Sequence, residues 1–391
     1  MKKRAVLLWG GVVLLSILFC LVACKHDIEP EVYNVTFVGN GADSGKSPAV
    51  KKVFEGETIT LPSEDSLSKE DYYFICWNTA EDGTGTDYMV GDEITVSSDI
   101  ILYAKWDKNV LKFRFIEYSN TYAVSCQVKT ITNIDIPSEY KGKLVTRIDD
   151  GAFYNCNELT SVTIPKNISY IGDNAFLNCK NLETVVIEEG VADIGKHAFE
   201  WCTALKGIII PQSVKRIGDL AFSGCTALAS IHLGDRLESI GYEAFLCCSA
   251  LESITIPSTV ESIAKEAFLG CTGIKSVVLN EYTCNSLTIQ QLFSHSYTSI
   301  ESVEIHEGVT VIGERLFSGC SNLASVTIPK TVGTIKARAF NECSNLSTIE
   351  YNSTKEDWNK ISKGDGWDTD TGNYTIACTD GNIESNPAST V

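Results

Sequence analysis

Cysteine is the residue that most invites a chemical reading of this chain, which holds fifteen of them. Thiols in that number ordinarily mean a disulfide framework, and thiols grouped with histidines mean a metal site. Their spacing points elsewhere. Cys156, Cys179, Cys202, Cys225, Cys248 and Cys271 recur every 23 residues, and Cys320 and Cys343 repeat the step. Single thiols at a fixed interval inside an apolar frame act as small hydrophobes. Coils of such a repeat would lie about 4.8 Å apart, so disulfides along the row stay open on distance. Zinc is disfavoured, because no CxxC pair exists and no histidine joins the row. Cys247 adds one thiol beside Cys248 with no function attached. Asp368 to Asn373 faintly follows a calcium loop, but its twelfth position is Thr379 and not a bidentate glutamate. The five histidines, His26, His197, His232, His295 and His306, fall at unrelated places. There is no GxSxG, HExxH, P-loop or dinucleotide-binding glycine pattern. The reading is no catalytic residues, no metal, no cofactor and no enzyme; a dyad assembled across coils stays open, with nothing to mark it.

Net charge is −18, and loss of Lys2, Lys3 and Arg4 with a leader deepens it by three. Nucleic acid is excluded as a partner, since phosphate neutralisation needs clustered Lys and Arg. Attraction to anionic lipid is excluded on the same ground. Met1 to Cys24 has a basic start, an apolar run from Ala5 to Phe19, and small residues after it. Leu21-Val22-Ala23-Cys24 resembles the lipobox of bacterial lipoproteins. That resemblance implies cleavage after Ala23 and a lipid on Cys24; Cys20 fails because Phe19 is too large. A second reading is an uncleaved span over Ala5 to Ala23. Both attach the chain to a membrane, with the rest outside the cytoplasm.

Residues 32–107 alternate short β-rich runs with Gly and Asp turns, the pattern of a small β module. The segments "VTF", "GETITLP", "FICWNTAEDGTGTDY", "GDEIT" and "ILYAKW" resemble the Listeria–Bacteroides repeat, a β-grasp-like surface module. Cys76 departs from the glycine usual there, which leaves the packing around Trp77 open. Phe74, Trp77 and Trp106 read as core aromatics, or else as a sugar-stacking surface.

From residue 131 the chain is periodic, and self-similarity decides architecture before local structure does. Phe153, Phe176, Phe199, Phe222, Phe245 and Phe268 are spaced by 23, as are Phe317 and Phe340. Ile148, Ile171, Ile194, Ile217, Ile240, Ile263, Ile312 and Ile335 keep step. In Ser161-Val162-Thr163-Ile164-Pro165, Val162 and Ile164 face inward and Pro165 ends the strand. One turn, "SVTIPKNISYIGDNAFLNCKNL", resembles the BspA-like leucine-rich repeats. The resemblance implies a right-handed β-rich solenoid of about ten turns and a role in adhesion to host matrix proteins or other bacteria.

The resulting layout is a signal peptide at 1–23, a tether at 24–31, the β-grasp-like module at 32–107, a capping hairpin at 108–130, repeats at 131–350, and a cap and tail at 351–391. The hairpin runs Leu111 to Ile116 against Thr121 to Val128. In the cap, a short helix begins at Asp357-Trp358 and a strand covers Asn373 to Cys378. Around Ser276 to Ile300 the phenylalanine step stretches to 25 and then 24 and the row cysteine is missing, which reads as a binding bulge or a tolerated insertion. Outward strand positions align as Asp135, Thr163, Val186, Ile209, His232, Thr255, Val278, Glu304, Thr327 and Glu350. Adjacent Val186 and Ile209 on a wetted face form a small apolar patch. Val186, Ile209 and His232 are therefore the candidate ligand-binding residues, the partner being an extracellular or surface protein. Two readings compete with a lipid-anchored adhesin: an envelope structural protein and a glycan-binding protein.

Overall fold

The structure is a computed structural model and describes residues 31–385 apart from 65, 71, 108 and 109. The leader, its apolar run, Cys24 and His26 lie outside the described residues. Among the described residues, no helix is long and apolar enough to cross a membrane. The chain divides into a small N-terminal unit and a large unit that contains the repeats.

In the small unit, Val32–Val38 is the hub of a mixed sheet. It pairs in parallel with Ile100–Asp107 and antiparallel with Lys51–Phe54. Tyr73–Asn78 and Asp87–Tyr88 extend that sheet, and Thr58–Thr60 pairs with Glu93–Thr95 beside it. Alternation fixes the faces: Val35 and Phe37 are buried. Trp77 is fully buried, its ring meets Phe37 at 4.8 Å, and its indole N–H donates to the Pro62 carbonyl at 2.8 Å. Cys76 is equally buried. Its small side chain leaves the Trp77 core closed, and burial pushes its thiol up to about 12. Phe74 and Trp77, two of the three aromatics of the proposed sugar-stacking surface, are inside, while Trp106 is half-buried and meets Phe74 edge-on at 5.8 Å. The Phe74 and Trp77 rings are core.

In the large unit each turn contributes two short strands, and each kind of strand stacks into its own parallel ladder. The strand-face ladder runs from Asn133–Asp135 to Ser230–His232 as five strands. It resumes from Ser253–Thr255 to Tyr374–Cys378, where the antiparallel Gly381–Ser385 closes it. That makes about eleven turns. The extra turn beyond the sequence expectation is Tyr374–Cys378, which pairs in parallel with Thr348–Tyr351 and so prolongs the repeat sheet. The second ladder consists of two-residue strands carrying the isoleucine row, from Tyr170–Ile171 to Ser262–Ile263. At its N-terminal side it joins Lys143–Ile148 and the hairpin Leu111–Ile116/Thr121–Cys126. It resumes at Val311–Ile312. The two ladders pause at different coils, so one bridges the gap in the other.

The core between them is a set of columns. Phe153 to Phe268 are fully buried and stack with ring centroids 4.8–5.4 Å apart and planes within 6°. That separation is the coil rise itself, so the offset-parallel geometry follows from the repeat length. Phe293 takes the next place, tilted by 31°. Phe317 and Phe340 restart the column, which ends edge-on against Trp367. Close approach of successive coils also demands glycine: a Cβ on Gly218 would lie 2.7 Å from the Gly195 carbonyl carbon and 2.8 Å from the Lys196 nitrogen. In the terminal segment, Lys355–Lys360 is the expected short helix, capped by Thr354 with Trp358 turned into the core.

Candidate functional site

The strand face presents the aligned residues in the expected order. Asp135, Thr163 and Val186 are register partners, as are Ile209 and His232. Thr255, Val278, Glu304, Thr327 and Glu350 continue the row in the second sheet, and Ala377 adds one more. Val186 is 47% exposed and Ile209 is 68% exposed, the highest of any aliphatic side chain in the array. His232 is exposed beside Ile209. Between Thr184–Ile187 and Gly207–Ile209 the register holds only at Thr184 and Gly207. A shallow depression of 530 Å³ opens here, floored and walled by residues of three successive strands that include Val186, Ile209 and His232. Glycine at 207 removes a side chain from its middle. The neighbouring outward positions are Thr163 and Thr255, so the apolar area is confined to this spot.

The cysteine row has a structural cause that spacing alone did not reveal. Cys179, Cys202, Cys225, Cys248 and Cys271 each donate their thiol to the phenylalanine carbonyl of the coil before, at 3.0–3.3 Å. Each of those carbonyls also accepts the backbone N–H of the cysteine three residues on, as Phe222 does from Cys225 at 3.2 Å. The thiol thus fills the second lone pair of a buried carbonyl, which alanine or valine would leave empty. Burial raises these thiols: Cys179, Cys271 and Cys320 to about 12, Cys202, Cys225, Cys248 and Cys343 well above the usual range.

Cys247 is different. It is exposed and left-handed (φ 59°), at the coil position filled elsewhere by Asn155, Asn178, Gly224, Gly270 and Gly319, and by Trp201 and Glu342, which are left-handed too. Asparagine and glycine tolerate that conformation best, so their predominance at this position was a readable signal that the sequence analysis missed. Thiolate access sets reactivity. In the folded protein at pH 8, iodoacetamide is expected to label Cys247 first, half-buried Cys378 more slowly, and the row cysteines only after denaturant is added. Peptide mass mapping reads this directly; early labelling of Cys202 or Cys225 would contradict the buried row.

The remaining chemistry-bearing residues stay dispersed. His197 pairs only with Glu200, at 2.6 Å on its own turn. Asp368 accepts the Tyr374 hydroxyl at 2.7 Å. Among the described residues, no three His, Cys, Asp or Glu side chains converge as metal ligands. Ion pairs such as Lys206–Glu183 and Lys215–Glu238 join neighbouring coils at the surface, where such pairs contribute little.

Two family models match. The Listeria-Bacteroides repeat domain covers residues 33–105. The BspA type leucine rich repeat region matches in six copies over residues 120–249, 192–295 and 288–362. A putative Gly-rich membrane protein of Evansella cellulosilytica is 32% identical over 115 residues, 29% of this chain and 13% of that protein. The chain therefore spans only 12–13% of the length of the curated relatives it matches. Among solved structures, a leucine rich cell surface protein of Faecalibacterium prausnitzii is 24% identical. That match covers 66% of this chain and 97% of the other, with a TM-score of 0.33. A leucine-rich repeat protein of Bacteroides capillosus is 30% identical over 32% of this chain and 94% of its own, with a TM-score of 0.29. These families are repeat scaffolds of the kind used for protein–protein interaction. With its model matched over well more than half of the sequence, the chain belongs to the BspA-type leucine-rich-repeat family.

Proposed function

We propose that this protein is a lipid-anchored bacterial surface protein that adheres to a protein ligand, of host matrix or another bacterium, through the strand face at Val186, Ile209 and His232. One observation carries the reading: two neighbouring aliphatic side chains stand exposed beside a shallow depression on a face whose other outward positions are largely polar. Apolar area held in water at a concave spot is what a protein partner covers. Anchoring rests on the sequence of the leader, with Cys24 as the lipidated residue and 24–31 as tether. Residues 32–107 are then a module of the same chain, 108–130 and 351–391 the two caps, and 131–350 the binding array.

The test is saturable binding of the full chain to a panel of matrix and bacterial-surface proteins, repeated with Val186→Asp and Ile209→Asp together. Both side chains point outward, so the variant should keep its thermal midpoint. A real ligand should lose at least tenfold in affinity, about 1.4 kcal/mol. Unchanged affinity for every ligand found would remove these residues from the site. Absence of any ligand, combined with resistance to protease on intact cells, would favour an envelope structural role.

A further inference from the structure

The irregular coil holds a second concavity, away from the strand face. We infer that it is a saccharide site that takes a neutral sugar. The cavity measures 670 Å³ and is lined chiefly by Gln290, Gln291, His295, Tyr297, Lys265 and Glu266. None of the strand-face residues contributes to it.

Its walls are built, not slack. Glu281–Ser286 and Ile289–Phe293 are two single-turn helices, and each is closed at its start by a reciprocal side-chain cap, from Asn280 and Thr288. Asn280 is fully buried and its amide donates to Pro257 O and Val260 O of the preceding coil, both at 2.8 Å. Glu281 accepts from the backbone and hydroxyl of Thr310 on the following coil. Ile289, Leu292 and Phe293 plug the core beneath. The insertion is therefore fastened on both sides, and a ligand need not order it on binding.

The lining specifies the ligand class. Two carboxamides and an imidazole supply donors and acceptors side by side, which is what vicinal hydroxyls, each both donor and acceptor, require. The Gln291 carbonyl accepts the Thr288 N–H at 2.9 Å, which fixes its amide and offers the NH2 to the cavity. Glu266 is held by the Tyr242 hydroxyl at 3.0 Å. One edge carbon of the Tyr297 ring packs at Gly319 of the next coil, where a Cβ would come within 3.4 Å of it, and the ring adds apolar area to the cavity lining for sugar C–H groups. Lys265 and Glu266 are adjacent and opposite in charge, so the lining carries no net attraction for either sign.

Saturation-transfer NMR on the full chain tests this, using the methyl glycosides of glucose, galactose, mannose and N-acetylglucosamine, with glucuronate and glucosamine as charged comparators. At least one neutral glycoside should show saturable transfer. The signal should fall fivefold or more in Gln290→Ala and in His295→Ala, both exposed positions whose truncation leaves the core intact, and should persist in the Val186→Asp/Ile209→Asp variant. The inference is overturned by no saturable transfer from any neutral glycoside, by cavity variants that keep the full signal of the unsubstituted chain, or by preference for a charged comparator. Loss of the strand-face ligand leaves this result untouched, so the two sites fail separately.

Discussion

Raising the pH from about 8 to about 10.5 in the presence of reductant is expected to unfold the repeat array, with the thiol row as the principal cause. In the unfolded chain a cysteine loses its proton near pH 8.5 to 9. In the folded chain, burial holds Cys179, Cys271 and Cys320 of the row, and Cys284 of the irregular coil, protonated up to about 12, and it raises Cys202 and Cys225 as well. Below pH 9 both states carry the proton and the row costs nothing. Above it the unfolded state gives up a proton that the folded state retains, so stability falls as pH rises, by about 1.4 kcal/mol per thiol per pH unit. The four thiols near 12 alone would remove about 5 kcal/mol between pH 9 and pH 10, comparable with the entire stability of a modest domain. Urea unfolding at a series of pH values measures the slope. Cys179→Ala should flatten it by about 1.4 kcal/mol per unit while lowering stability at neutral pH through the lost thiol–carbonyl bond. A flat profile between pH 8 and 10 would mean that the row is not made of buried protonated thiols, as it would not be if the cysteines were oxidised in pairs.

The row itself was legible because a period of 23 maps each residue type onto one site of the coil; phenylalanine, isoleucine and cysteine columns needed no structure to find. What those columns do to one another was not legible. The thiol-to-carbonyl bond crosses 26 residues of sequence and depends on the turn after each phenylalanine, which no pattern encodes. The irregular coil shows the limit most clearly. Its stretched spacing and missing cysteine were visible, and Phe293 does enter the column. The local substitutions were not: Ser296 stands three residues after Phe293, where other coils place the thiol, and its buried hydroxyl has no partner. Cys284 gives its carbonyl to Gly313, as Ile171 does to Gly195, and so stands in the isoleucine column. A serine oxygen and a displaced cysteine read as unrelated until backbone pairing aligns them. On the strand face, period-two alternation identified Val186, Ile209 and His232 as outward. The one-pair register between Thr184–Ile187 and Gly207–Ile209, where the depression lies, was not foreseen. The eleventh strand, Tyr374–Cys378, lies outside the 23-residue period, yet it pairs in parallel with Thr348–Tyr351 and buries Tyr374 and Ile376 as the repeat strands bury their own apolar residues.

Phe222→Ala is expected to be the most destabilising single truncation in the array, more so than the same change at Phe340. Both rings are fully buried, and removing a buried phenylalanine costs about 3–5 kcal/mol because packed neighbours refill the space only in part. Relaxation is especially limited at Phe222, whose ring lies between Phe199 at 5.3 Å and Phe245 at 5.4 Å, both within 6° of parallel. Neither neighbour can tilt inward without leaving its own partner. Position then multiplies the effect. A solenoid is stabilised through nearest-neighbour interfaces, and the strand-face ladder pauses between Ser230–His232 and Ser253–Thr255. At that boundary the coils are joined by the second ladder, through Ser239–Ile240 and Ser262–Ile263, and by the aromatic column. Deleting Phe222 weakens the column where the ladder already pauses, so the turns on either side should lose cooperativity and melt in two steps. Phe340 sits near the closed end, against Trp367, and its loss should fray the terminal turns while the remainder melts as before. Phe222→Leu, which retains most of the volume, should cost less than about 1.5 kcal/mol and preserve a single transition. Calorimetry on the three variants decides the matter: one transition in Phe222→Ala, at the midpoint of Phe340→Ala, would show that the column does not carry the coupling across the pause.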